Sequence, residues 1–183
     1  IRLDGEPLSI TASLGREAEG ALPLEAAAAA EGISLRLKGR WPRGAEVRDW
    51  SLALDAEGEG AAVQRWARRF GQDLPLSGPV SLSARLAPGD PWPSVSDLTL
   101  RIGATDLGAV LPGLRVARAE LRAASFDAPA TLSAQGWRGA ADLGLHAQLP
   151  SPRRILGEEV LPVEATLTSG RARLELSGPV RRD

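Results

Sequence analysis

Apolar and polar residues alternate with a period of two along much of the chain. Leu8, Ile10, Ala12 and Leu14 alternate with Ser9, Thr11 and Ser13. Ile33, Leu35 and Leu37 alternate with Ser34, Arg36 and Lys38, and Trp50, Leu52 and Leu54 with Ser51 and Ala53. The same rhythm returns at Val80, Leu82, Ala84 and Leu86 and at Leu98, Leu100 and Ile102. It continues through Leu143, Leu145, Ala147 and Leu149, then Val163, Ala165 and Leu167, then Leu174 and Leu176. Successive strand side chains point to opposite faces, so each run paints one apolar and one polar face. Antiparallel sheets with one wetted face read this way, whereas buried parallel strands read as continuous apolar runs. Gly- and Pro-rich breaks at 42–44, 87–93, 150–152 and 169–170 separate the runs. The pattern predicts a mainly β fold, an antiparallel meander of roughly ten or more strands.

One segment has a helical period instead. Between Ala61 and Phe70, Val63, Trp66, Ala67 and Phe70 fall at i, i+3, i+4 and i+7, with Arg65, Arg68 and Arg69 on the other side. Gly71 stands where a helix-ending glycine belongs, and the late arginines suit the helix dipole. A short amphipathic helix over 61–70 is predicted. Its basic face has two readings: contact with anionic lipid headgroups, or a solvated face on a helix that caps the sheet edge. Around Glu17 to Glu31, Gly20, Pro23 and the alternating Leu22 and Leu24 predict a strand, and the alanine tract 26–30 a short helical turn after it.

Composition narrows the chemistry. The 183 residues contain 22 basic and 23 acidic side chains mixed along the chain, so no basic stripe tracks a phosphate backbone and nucleic acid is not an expected partner. Cysteine is absent, which removes disulfides, thiolate metal sites and Cys nucleophiles together. His146 is the only histidine and falls on the polar side of its strand; zinc there would need carboxylates as every other ligand. No Gly-x-Ser-x-Gly elbow and no phosphate loop occurs, and Glu158 and Glu159, as neighbours on a strand, would point apart. No catalytic residue, metal or cofactor is expected. Leu, Val and Ala supply nearly all the apolar material, with five Trp, two Phe and no Tyr or Met. Three of the tryptophans (Trp41, Trp92, Trp137) lie in turn-like contexts beside Pro or Arg, suited to plugging the ends and corners of a sheet.

A phrase also repeats. Leu74-Pro75-Leu76-Ser77-Gly78-Pro79-Val80 returns as Leu174-Glu175-Leu176-Ser177-Gly178-Pro179-Val180. Pro has no amide donor and Gly tolerates unusual angles, so Gly-Pro marks a strand entry or a bulge at a sheet edge. The order of elements around the first copy is specific. A strand over 50–58 leads to the helix, then to Leu74-Pro75, then to Gly78-Pro79-Val80-Ser81-Leu82-Ser83-Ala84-Arg85-Leu86. After a Gly/Pro turn comes Asp97-Leu98-Thr99-Leu100-Arg101-Ile102-Gly103-Ala104-Thr105-Asp106-Leu107-Gly108. This order resembles the recurring module of AsmA-like envelope proteins, the AsmA, TamB and YhdP type. The close match covers about 50–108, and Thr105 stands where Ser is usual.

The sequence starts abruptly at Ile1 inside strand-like sequence, so a single β-rich segment, 1–183, of a longer repeat protein is expected, with any membrane anchor outside it. The resemblance implies a sheet curled into an open trough (taco-like), apolar within. Its setting would be the periplasm of a Gram-negative bacterium, in a parent anchored in the inner membrane that supports phospholipid transport and outer-membrane biogenesis. The groove would hold phospholipid or another acyl lipid, with envelope proteins as further partners. By parity its lining would be Leu35, Leu37, Leu52, Leu54, Val80, Leu82, Leu86, Leu98, Leu100, Ile102, Leu143 and Leu145, with Arg65, Arg68 and Arg69 meeting headgroups. A bulge at Gly78-Pro79 or Gly103 would invert that parity locally. The alternative is a structural or protein-interaction module in which two sheets close face to face as a sandwich.

Overall fold

The computed structural model describes residues 2–3, 6–7, 9–16, 21–42, 50–69, 75–90, 92–109 and 111–181. Its strands are β1 (Arg2–Leu3), β2 (Glu6–Pro7), β3 (Ser9–Leu14), β4 (Ala21–Ala30), β5 (Ile33–Pro42), β6 (Ser51–Gly58), β7 (Val80–Ala87) and β8 (Ser94–Ile102). They continue as β9 (Thr105–Asp106), β10 (Leu114–Ser125), β11 (Ala130–Arg138), β12 (Ala141–Leu149), β13 (Val160–Ser169) and β14 (Ala172–Arg181). Helix α1 (Gly60–Arg69) follows β6, and α2 (Pro152–Gly157) follows β12. Apart from the small β1–β2 ladder, the strands form one open antiparallel sheet in chain order from β3 to β14, with β9 attached to β10. The ends do not meet: β3 and β14 are its two edges. The mainly β meander is therefore the fold.

Several local readings are corrected. The alanine tract 26–30 is strand, the second half of β4, and not a helical turn. Ala26 sits between Ala12 and Leu37, and Ala28 between Ile10 and Leu35. Ladder hydrogen bonds from both neighbours outweigh an alanine helix preference of a few tenths of a kcal/mol per residue. The break at 150–152 opens a second helix, α2. Ser151 caps it, its hydroxyl accepting from the Arg154 amide at 3.5 Å, and Pro152 takes the first turn, where a missing N–H is no loss. Glu158 lies at the end of that helix, not on a strand, and pairs with Arg154 at 2.7 Å. Trp41 and Trp137 belong to the strands β5 and β11. Trp41 stacks on Trp50, ring centroids 6.0 Å apart, and Trp92 stays open to solvent. Helix α1 runs one residue earlier than 61–70, and Phe70 and Gly71 lie outside the described residues.

The two parity switches fall elsewhere than at the glycines. In β8, Thr99 pairs with Ser83 but Ser96 with Arg85, so β8 carries one extra residue there, with Asp97 at φ +52°. The bulge returns Val95 to the face of Leu86 and Leu98. In β10, Val116 pairs with Gly136 and Arg118 with Gln135, leaving Ala117 as the extra residue. Leu114 and Val116 thereby share a face with Ala119 and Leu121.

The Gly-Pro phrase is a strand entry in its first copy and lies on the edge strand β14 in its second. In the first copy it is a point of close backbone packing. The Gly78 amide donates to Thr105 Oγ1 at 3.3 Å, the Gly103 amide to Pro79 O at 2.7 Å and the Asp106 amide to Ser77 Oγ at 3.1 Å. A Cβ on Gly78 would stand 2.1 Å from the Ala104 carbonyl oxygen. A Cβ on Gly60, the first residue of α1, would stand 2.4 Å from Gly78 O. The residues that carry the family resemblance thus lock the start of α1, the start of β7 and the end of β8 together.

Candidate functional site

The register aligns the alternations into rows that cross the sheet. Ile10, Ala28, Leu35, Ala56, Leu82 and Leu100 are successive cross-strand partners. The row continues through Leu121, Leu132, Ala147, Ala165 and Leu176. Eleven strands contribute to it without one polar residue. At about 4.8 Å per strand it spans roughly 48 Å of surface. A second row runs Ala30, Ile33, Gly58, Val80, Ile102, Ala119, Ala134, Leu145, Leu167 and Leu174. Others hold Leu37, Leu54 and Ala84, and Leu98, Ala123, Ala130 and Leu149. All twelve residues picked by parity as groove lining fall on this one face. Parity alone missed Ala119 and Leu121 on β10, where the Ala117 bulge resets the phase, and Leu132 and Ala134 on β11, where a single leucine among alanines and a glycine makes a faint alternation.

No second layer covers this face among the described residues. Its larger side chains are half-buried by their own neighbours, and the buried apolar residues are Leu52, Ala62, Ala84, Ala123, Ala130 and Ala147. Leu52 is the one larger than alanine. Toward the edges exposure rises, to 57% at Ile10 and 53% at Leu176. The chain exposes 12582 Å². A compact monomer of 19.2 kDa would expose roughly 8,400 Å². A single-layer sheet with solvent on both faces has more surface than a packed domain of the same mass.

Helix α1 sits at the strand ends, on the apolar side, not along a sheet edge. Gly58 belongs to the second apolar row, and a Cβ there would lie 3.1 Å from both Ile33 Cγ1 and Val63 Cγ2. Val63 therefore fills the gap that Gly58 leaves. Ala62 is buried against Gly32 in the β4–β5 turn. The arginines lead inward as well as outward. Arg69 pairs with Glu31 Oε1 at 2.8 Å, and Arg65 donates to the Glu31 carbonyl at 3.3 Å. Arg68 is exposed.

Comparison with family models, with curated proteins and with solved structures gives no match.

The opposite face is a polar ladder. Ser34, Glu57, Ser81, Arg101, Glu120, Ser133, His146, Thr166 and Glu175 are successive partners across nine strands. Glu120 accepts from Arg101 at 2.6 Å and pairs with Arg122 at 2.7 Å. These two guanidiniums, Arg101 first, hold its carboxyl below the ordinary value. A hollow of about 1200 Å³ is lined by residues of this ladder, among them Glu57, Arg101 and Glu120, and by residues of the second apolar row, among them Ile33, Val80 and Ile102. His146, on the same ladder, is exposed beside the Ser133 hydroxyl at 3.3 Å. Among the described residues, no three His, Asp or Glu side chains converge as a metal site. Among the described residues no helix is long and apolar enough to cross a membrane.

Proposed function

We propose that this chain is a non-enzymatic segment of an AsmA-like periplasmic protein, and that its apolar sheet face carries acyl chains of phospholipid in support of outer-membrane biogenesis. The observation that carries the reading is the apolar row unbroken over eleven strands with no layer upon it among the described residues. Each methylene that leaves water for such a face gains about 0.8 kcal/mol, so an acyl chain of ordinary length has ample driving force. Aliphatic rows without hydrogen-bonding groups read length and apolarity, not headgroup. The order of elements over 50–108 supports the family, and through it the periplasmic setting and the inner-membrane anchor elsewhere in the parent. Contiguous exposed apolar surface of this extent marks an interaction site and not a free monomer surface. Titration with a fluorescent fatty acid tests the reading. Saturable binding that phospholipid displaces supports it, and a protein that leaves the probe in water sinks it for this segment.

A second reading, a structural or interaction module, draws on the edges. Leu174, Leu176 and Val180 on β14 and Ile10 and Leu14 on β3 are each more than half exposed, as strands are that await another sheet. Proteolytic protection of β14 by a purified envelope partner, with no lipid bound, would favour it.

A further inference from the structure

We propose that the polar face of the sheet carries a binding site for an anionic saccharide, built between Trp137 and the arginines of β8 and β10. The site lies on the other side of the sheet from the acyl rows and is independent of the acyl reading. Two hollows meet there at Gln135. The larger is the hollow of about 1200 Å³; Arg118, Glu120 and Arg122 line it, and Leu121 between them does not. The smaller, of about 370 Å³, is lined by Trp137, Asp142, Gly144 and Thr168 among others, and not by Leu167. Strand side chains alternate between faces, so both hollows open on the polar side, with intervening residues such as Ile102 and Leu143 as their floor. Gly144 gives the smaller one its depth, since a Cβ there would stand 2.7 Å from Thr168 Oγ1.

The groups around Gln135 leave their binding capacity open. Arg101 and Arg122 both reach Glu120 through Nε, at 2.6 and 2.7 Å, and Arg118 reaches Gln135 Oε1 through Nε at 3.0 Å. The terminal nitrogens of all three have no partner among the described residues. Three guanidiniums thus share one carboxylate, and each presents a planar fork that fits a carboxylate or a phosphate. Trp137 is 37% exposed and faces Asp142 across the ladder. Its indole N–H and the Asp142 carboxylate also have no partner among the described residues. An aromatic face open to water receives the C–H face of a sugar ring, while a free carboxylate and a free N–H take its hydroxyls. Along an extended strand Trp137 stands about 7 Å from Gln135, and Arg118 lies one strand, about 4.8 Å, beyond it. A ring stacked on Trp137 therefore brings an acidic substituent to Arg118, and the larger hollow has room for a next unit beside Arg101 and Arg122.

Titration of the full chain, followed by the NMR signals of its amides and indoles, tests the site. The probes are glucose 6-phosphate and glucuronate, with glucose as the neutral ring and inorganic phosphate as the bare anion. Both acidic sugars should bind on the order of ten-fold more tightly than glucose or phosphate, because the stacked ring and the charge-assisted pair act together. The Trp137 indole and the amides around Gln135 should move. Trp137→Ala should abolish the advantage of the acidic sugars over phosphate, and Arg118→Gln their advantage over glucose. Arg85→Gln, on the same face but outside both hollows, and Leu100→Lys, on the opposite face, should bind as the wild type does. The substituted side chains of the site are exposed, so the variants keep the fold, which the same spectra show. Acidic sugars that bind no more tightly than ring or anion alone would overturn the site. So would signals that move elsewhere than around Gln135, or Trp137→Ala and Arg118→Gln variants that bind like the wild type. A chain that takes up no acyl probe would defeat the acyl reading and leave this site standing.

Discussion

Leu100→Lys separates an open apolar face from a sealed core. Leu100 lies near the middle of the sheet, between Leu82 and Leu121, and is half-buried. Full burial of a leucine contributes about 1.5–3 kcal/mol, so a half-buried one forfeits about 1 kcal/mol on losing its apolar tip. The lysine stem still covers its neighbours and the ammonium reaches water, because nothing lies above it. In a closed sandwich the same ammonium would be trapped without a partner, at a cost of several kcal/mol. With a urea dependence of about 2 kcal/mol per molar, the open face predicts a midpoint lowered by about 0.5 M, and the sealed core a chain that fails to fold. Urea unfolding followed by far-UV circular dichroism measures this, with fatty-acid titration of the same sample. The expected outcome is a folded protein with acyl binding reduced at least ten-fold. A loss above about 3 kcal/mol would refute the reasoning, because a covering layer would then have to exist.

Two further substitutions probe the scaffold and its charges. Gly78→Ala drives a Cβ to 2.1 Å from a backbone oxygen that cannot step aside, so a loss of about 3 kcal/mol is expected. Gly157→Ala, with open space around it at the end of α2, should be neutral or slightly stabilising in the same urea series. Glu120 titrates below its ordinary 4.5 in the folded chain, so its pairing stabilises the fold above that pH and is lost as pH falls through the lower folded value. Glu120→Gln should therefore flatten the acid side of a stability–pH profile below about 4.5, and identical profiles would show that the Arg101 and Arg122 pairing does not matter.

How much of this was legible in the sequence follows from what alternation can and cannot encode. Alternation marks strands and their two faces wherever it runs unbroken, as from Val80 to Leu86, and every groove residue picked that way lies on the shared face. It fails where one extra residue resets the phase. Asp97 does so in β8 and Ala117 in β10, and the second left the stretch from 114 to 125 without a strand reading. Alanine is ambiguous by nature, so tract 26–30 became strand only because Ile10, Leu35 and their neighbours pair on both sides. Helix α2 did have a signal, Ser151 before Pro152, but six residues are too few to show a helical period. Glu31 had none, since neither its positive φ nor its meeting with Arg69, 38 residues away, follows from local pattern. The arginines of α1 were legible as a basic face but not as a fastening.

The central claim is that the apolar face carries lipid, and its most direct test is native mass spectrometry of the segment purified from a Gram-negative host. Organic extraction of whatever remains bound then identifies it. The account predicts phospholipid at a defined stoichiometry, released when Leu100 is replaced by Lys. A protein that emerges without lipid, and that also excludes a fatty-acid probe, would contradict it and leave this sheet a scaffold.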